Sequence, residues 1–486
     1  MKNQVFNPYL PQGEYIPDGE PHVFDGRVYI YGSHDAFNSF CYCPKDYVVW
    51  SAPIDDLSDW SYKTVAYKRR GKGNALKLKC LWAPDCTKGQ DGRYYLYFCY
   101  AFENKICVAV SDKPDGPFAF WGYVRHQDGT LYGNKAGDIM CFDPAVFTDT
   151  DGKTYVYSGY SANEDIKKML SRRGIKNVDG TGNQVFTLKR DMLTIDTPPK
   201  MLLPGYKNSS GTTFVGHEFY EASSMRKINN KYYLIYSSRL SHELAYAISD
   251  FPDKDFVYGG AIISNGDIGY GGKTAAQATN YWGNNHGSIE QIGDKLYIFY
   301  HRQTNKNEQT RQGCAEQIFL LSDRKIEQVC MTSCGLNGAP LYGEGIYPAH
   351  IACHLTSKSG ALKCKYGPFS RHKYKLHPCI TQAKGGRQYI QAMRDGAVAG
   401  FKYFLSSGNT KISVTTCGSG GEFAVKIKED GAELGIIQFK KSSKAVSSCA
   451  NIPLPKGKVA LYFEYRGKGK INFFDFTLTP LDNYYL

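Results

Sequence analysis

The chain has 486 residues, 42% hydrophobic and 22% charged, with a formal net charge of +13. This balance excludes wholesale disorder and collagen-like repetition, and no apolar run approaches the roughly 20 residues that cross a bilayer. The 38 Tyr, 26 Phe and 50 Gly favour strands joined by tight turns over long helices.

Met1-Lys2-Asn3-Gln4 runs into Phe6-Asn7-Pro8 without the apolar core of a signal peptide, so the chain reads as cytoplasmic. Its 15 Cys, an odd number scattered singly through apolar segments, read as free buried thiols and not as a disulfide framework. Cys41-Tyr42-Cys43 is too closely spaced for a zinc half-site, and no matching pair follows it.

A repeat organises the first two thirds. Asp25-Gly26-Arg27-Val28-Tyr29-Ile30-Tyr31 recurs as Asp91-Gly92-Arg93-Tyr94-Tyr95-Leu96-Tyr97 and as Asp151-Gly152-Lys153-Thr154-Tyr155-Val156-Tyr157. Looser copies begin at Asn229 and Gly293. Each copy is a two-residue turn signal feeding a strand of alternating aromatic and β-branched residues. Pro21 to Phe24, Pro144 to Phe147 and Ser223 to Lys227 supply incoming hairpin arms, and Val48 to Pro53, Ile106 to Asp112 and Leu244 to Asp250 supply third strands. Five units anchored on Tyr29, Tyr95, Tyr155, Tyr233 and Tyr297, roughly 60 to 78 residues apart, predict an all-β chain whose residues 1–345 form a five-bladed β-propeller. The Lys-rich stretch from Asp165 to Asn177 reads as an inserted excursion with helical character.

The pattern changes past Asp323, and the Gly- and Pro-rich stretch from Gly335 to Pro348 reads as a boundary. Strands are predicted at Gly400 to Leu405, Ile412 to Thr416, Phe423 to Ile427, Gly435 to Phe439, Val459 to Tyr465 and Ile471 to Leu478. Residues 346–486 are therefore expected to be a linker followed by a β-sandwich of jelly-roll type. This part is basic: residues 331–486 carry about +12 of the net +13. The lysines are scattered and no nucleic-acid motif accompanies them, which argues against a nucleic-acid partner.

Acids at the entrances of different blades can converge on a propeller's central channel. Asp18 precedes the first hairpin, Asp143 the third and Glu221 the fourth. Carboxyl groups set among apolar and aromatic residues acquire raised pKa values unless they are compensated, and two of them across a sugar ring can divide the work of acid and base. For each alone, an Asx-turn or a surface acid at a strand start explains the residue as well. His286 occupies the same position before the fifth hairpin, where it can ligate a cation or hydrogen-bond within a turn. Trp82, before the second, can stack on a sugar or pack in the core.

These islands, Pro17-Asp18 before His22-Val23-Phe24, Leu81-Trp82-Ala83-Pro84, Phe142-Asp143-Pro144-Ala145, Glu221-Ala222-Ser223 and Asn285-His286, resemble glycoside hydrolase family 43 over roughly residues 5 to 350. The resemblance implies a five-bladed propeller enzyme acting on xylosides or α-L-arabinofuranosides with inversion. It makes Asp18 the general base, Glu221 the general acid and Asp143 the residue that orients that acid and tunes its pKa. It places Trp82 in the sugar pocket and His286 in the channel, beside a calcium or other cation held mostly by water. No cofactor is implied for the chemical step. The family's common Asp-Pro is Asp18-Gly19 here, followed by Glu20, which competes for the base role as Glu218 does for the acid. The tail resembles a family 6 carbohydrate-binding module at Ala399 to Phe404 and Lys456 to Gly467. All five Trp precede it, so it would have to stack sugars with Tyr or Phe.

The expected partners are xylo- or arabino-oligosaccharides, with β-xylosidase and α-L-arabinofuranosidase activities evenly matched and oligomeric state open. A non-catalytic glycan-binding propeller shares the fold, and endo action on arabinan or xylan shares the residues.

Overall fold

The computed structural model describes residues 3–481 apart from 72–73, 75, 77–78, 173, 176–177, 179 and 365–375. Five antiparallel sheets follow one another between Glu20 and Ile318. The repeats form their first two strands: Glu20–Phe24 pairs with Arg27–Tyr31, Asp85–Lys88 with Tyr94–Phe98, Ala145–Thr148 with Thr154–Ser158, Phe219–Ile228 with Lys231–Ser238, and Ile289–Ile292 with Lys295–Thr304. Each anchor tyrosine lies on the second strand. Third strands follow at Trp50–Pro53, Cys107–Ser111, Gly182–Leu188, Glu243–Ser249 and Asn307–Ile318. The stretch expected as one strand from Val48 is divided, because Tyr47–Val48 pairs with Val65–Tyr67 in a separate ladder. Fourth strands at Ala119–Tyr123, Lys200–Pro204 and Val257–Ser264, not legible in the sequence, complete the second, third and fourth sheets.

The alternating aromatic residues explain the packing. One face of each second strand meets the preceding sheet and the other the next, so apolar cores lie between consecutive sheets. Tyr31, Leu96 and Phe98 share one core, Tyr97, Val156 and Phe186 another, and Tyr157, Leu234 and Tyr236 a third. Ile235 and Ile298 join the fourth sheet to the fifth, while Val28, Ile30, Ile292 and Phe299 join the fifth to the first. Burying each such side chain contributes about 1.5–3 kcal/mol before the entropy of ordering it. The amino-terminal segment runs beside the fifth sheet: the side-chain amide of Asn7 donates to Ala315 O and Glu316 Oε1, both at 2.9 Å, and Tyr9 N donates to Gly313 O at 3.3 Å.

Toward the carboxyl end, two six-stranded sheets share one core. Its rings include Phe401 and Phe463 from one sheet and Phe473 and Phe476 from the other, with Phe401 and Phe476 centroids 4.7 Å apart. All six predicted strands are present; Ser442–Ile452, missed because its polar residues are largely exposed, pairs with Thr410–Gly418. The stretch read as a boundary contributes strands of its own, Leu341–Tyr342 beside Ala397–Ser406 and Gly345–Pro348 beside Lys470–Pro480. The amino-terminal segment also touches this part: Tyr15 Oη donates to Gln382 Oε1 at 2.6 Å, and Gln388 N donates to Gln12 Oε1 at 2.8 Å.

Candidate active site

Asp18, Trp82, Asp143 and His286, each just ahead of the first strand of a different sheet, and Glu221, on the first strand of the remaining one, line one cavity of about 420 Å³. Irregular backbone aims the carboxylates. Asp18 and Asp143 take positive φ values of 57° and 40° just ahead of their strands. Glu221 sits inside its strand between two register shifts and is followed by Ala222 at φ 65°; such bulges re-aim a side chain, and strained dihedrals of this kind gather at functional sites. A parallel bridge between Gly19 and Gly287 brings Asp18 beside His286. Gly32 allows the Asp18 turn to close, since a Cβ there would lie 2.5 Å from Pro17 O.

The electrostatics separate the carboxyl groups. Burial alone would raise Asp18, but Arg311, whose Nη1 donates to Asp18 Oδ1 at 2.8 Å, holds it well below the usual range together with His301 and His286. For Glu221 the balance goes the other way: burial and the Asp143 charge push it up to about 8 against the opposing pull of His286 and Arg311. Burial and the Asp18 charge likewise bring Asp143 up to about 7. His286 is drawn the other way, since burial opposes its charge but Glu20, Asp143 and Asp18 lift it to about 9.

Both competing acids lie outside the cavity lining. Glu20 Oε2 accepts from Ser224 Oγ at 2.8 Å and Arg226 Nη2 at 3.1 Å, while Glu218 Oε1 accepts from Ser209 Oγ and Gly216 N in its own loop.

Sequence reasoning missed Arg311, Tyr42, Asn284 and Glu308, which line the same cavity. Arg311 and Glu308 belong to Asn307–Ile318, a polar strand without the alternation that marks the repeats. Trp82 is half-buried and packs edge-on to Phe102 and tilted against Phe142, which stacks on Tyr160. The Lys-rich excursion is a wall of the cavity: helix Glu164–Ser171, capped by Asn163, presents Ile166, Met169 and Leu170 to it.

The surroundings of His286 suit the cation implied by the resemblance. Its Nε2 lies 3.8 Å from Glu20 Oε1, a buried oxygen without a hydrogen-bond partner, and its Nδ1 lies 3.5 Å from Asp143 and 3.9 Å from Asp18. One imidazole among carboxylates fits a hydrated divalent ion. Glu20, His22 and Asp85 also offer ligand atoms within 4.8 Å of one another, but His22 Nε2 and Asp85 Oδ1 are already engaged with each other at 2.7 Å.

Residues 12–323 match the model of glycosyl hydrolases family 43. A xylosidase/arabinosidase of Thermoclostridium stercorarium is 46% identical over 98% of this chain and 99% of its own length, and one of Bacteroides ovatus is 30% identical over 60% and 87%. Among solved structures, a family 43 arabinoxylan arabinofuranohydrolase from Bacillus subtilis in complex with cellotetraose superposes with a TM-score of 0.51, covering 97% of both chains at 20% identity. A family 43 β-xylosidase/α-arabinofuranosidase from a compost metagenome, in its calcium-free form with xylotriose, gives 0.50 at 27% identity over 66% of this chain and 96% of its own. With a full-length relative and a family match that spans Asp18, Trp82, Asp143, Glu221 and His286, the chain belongs to glycoside hydrolase family 43 and is a glycosidase.

Proposed function

We propose that this glycosidase removes single xylose or L-arabinofuranose residues from xylan- or arabinoxylan-derived oligosaccharides with inversion of configuration. The observation that carries the reading is the opposite treatment of two carboxyls in one cavity: Arg311 keeps Asp18 ionised, while burial and Asp143 keep Glu221 protonated near neutral pH. Groups driven apart in this way divide acid and base roles. Glu221 protonates the glycosidic oxygen, Asp18 takes a proton from the attacking water on the opposite face, and Asp143 orients Glu221 and sustains its high pKa. Trp82 supplies an apolar face for the sugar, and His286 places positive charge among the carboxylates. A cation held by His286 and Glu20 would supply that charge when bound, and the proton transfers run between Glu221, Asp18, water and substrate.

The sequence of inter-sheet cores supports a closed five-bladed propeller. The two sheets with a common core support a jelly-roll sandwich, similar to a family 6 carbohydrate-binding module, beginning near Leu341. Phe401, Phe404, Phe423, Phe463, Phe473 and Phe476 are committed to that core, which favours a structural role for this unit over independent glycan stacking.

The test is hydrolysis of paired aryl β-xyloside and aryl α-L-arabinofuranoside, followed by anomer analysis of the released sugar. Product of inverted configuration is expected. Retention would exclude the assigned roles, and release of oligomers instead of single sugars would exclude exo action.

A further inference from the structure

Asp18, Asp143, Glu221 and Glu308 are the carboxylates among the described residues lining the cavity, and the acid–base chemistry leaves Glu308 without a task. Asp18 and Asp143 are 4% and 7% exposed and form the floor with His286. Glu308 is less buried than these two: it is the second residue of its strand, beside the half-buried hairpin tip at Asn305 and Lys306, and this places it toward the mouth in our reading. Tyr42 Oη donates to its Oε2 at 3.3 Å. The Tyr42 ring in turn lies 4.8 Å from the Arg311 guanidinium, so Tyr42 links the floor to the rim.

A segment from beyond the predicted boundary docks next to the stretch that carries the lining residue Asn284. Leu362 to Cys364 run alongside Trp282: Trp282 N donates to Leu362 O at 3.4 Å, and Cys364 N donates to Trp282 O at 2.7 Å. Tyr281 Oη is anchored on Pro378 O at 2.8 Å, and its ring packs with Cys364 and Cys379. This docking fixes the segment that carries Asn284, another lining residue, and places the exposed Lys363 with its Nζ 5.0 Å from the Trp282 ring centroid. Burial raises the Glu308 carboxyl above its ordinary value, and the nearby Lys363 ammonium opposes that rise.

We propose that Glu308 and Lys363 form the binding site for the leaving-group sugar, so that the carboxyl-terminal unit completes the active site. This rests on the exo reading above: with the terminal sugar on the floor, the next sugar emerges at the rim. A carboxylate there accepts hydrogen bonds from the hydroxyls of a neutral pentose, an ammonium donates to its ring and hydroxyl oxygens, and Tyr42 holds the carboxylate in place. The ligand class is the reducing-end part of a pentose oligosaccharide. An aryl leaving group offers no hydroxyls and gains little from either residue.

The experiment compares kcat/KM for a disaccharide, xylobiose or its arabinofuranose counterpart, with that for the aryl glycoside of the same sugar, in wild type, Glu308→Gln and Lys363→Met. Loss of a hydrogen bond to a charged group should lower the disaccharide-to-aryl ratio about tenfold or more in Glu308→Gln, mainly through KM. Lys363 is exposed, so its replacement leaves the fold intact, and a fall of about threefold or more is expected. If Glu308 only braced Tyr42 and Asn284, both substrates would lose rate together; a ratio within twofold of wild type in both variants overturns the proposal. A fall in Glu308→Gln alone overturns the part assigned to Lys363. A wild type inactive on both substrates would sink the exo reading and this inference with it.

Discussion

Arg311 donates from Nη1 to Asp18 at 2.8 Å and from Nε to Asp35 at 2.9 Å, so one buried guanidinium serves two buried carboxylates. The charge that keeps Asp18 basic is therefore also a structural charge. Arg311→Met should raise the Asp18 pKa, and because the base acts ionised, the acid limb of the kcat/KM profile should move to higher pH. Leaving two carboxylates uncompensated should also cost about 3–5 kcal/mol of stability. A pH–rate profile and a denaturant titration check both; an acid limb that stays in place removes Arg311 from the control of Asp18.

Glu221→Gln removes the proton donor while keeping its shape. Hydrolysis of oligosaccharides should fall by about 10³-fold or more, and aryl glycosides with good leaving groups, which need less protonation, should lose distinctly less. Equal losses on both classes would argue against a general acid at this position.

The basic limb follows from the raised acids. Glu221 works protonated, so activity should decline as pH rises through about 8. Asp143→Asn removes the carboxylate that helps raise Glu221, so the limb should move to lower pH; movement upward would contradict the coupling. Stability carries the same sign. A carboxyl raised from 4.5 to about 8 in the folded chain contributes stability that is fully present below 4.5 and is lost as pH rises through 8. Glu221→Gln should thus stabilise the chain more at pH 9 than at pH 5, as melting temperatures at the two values would show.

Lys402, from the carboxyl-terminal unit, donates to Asp267 Oδ2 at 3.0 Å, with 9% and 2% of the two side chains exposed. Lys402→Met should cost about 3–5 kcal/mol by stranding Asp267. Joint replacement with Asp267→Asn should recover part of that loss, since the amide needs no counter-charge. Chemical denaturation of the two variants and the pair measures it.

The sheets were legible where the code is local. Asp-Gly turns and aromatic alternation carry their own geometry, and all five anchor tyrosines lie on the strands they predicted. The five site residues were legible as candidates because each stands seven to nine residues ahead of a hairpin turn. Arg311 was not: its strand, Asn-Glu-Gln-Thr-Arg-Gln-Gly-Cys, is buried by polar pairing that only the folded chain supplies, and its partner Asp18 lies 293 positions away. The cavity-facing side of the Glu164–Ser171 helix was hidden for the same reason, since its Lys residues signal solvent and Leu170 is buried in a cluster with Met140, Ala162, Ile175 and Val178 that only the folded chain assembles.

The amino-terminal segment bears on how the chain is built in time. Asn7 bonds to Ala315 and Glu316, and Tyr15 accepts from Gln388 at a separation of 373 residues. During synthesis these early residues have no partners until most of the polypeptide has left the ribosome. Contacts of such long range carry the largest loop-closure cost and form late. Asn7 and Tyr15 thus gain these partners late, and the seam between the first and fifth sheets closes only once both sheets have been made.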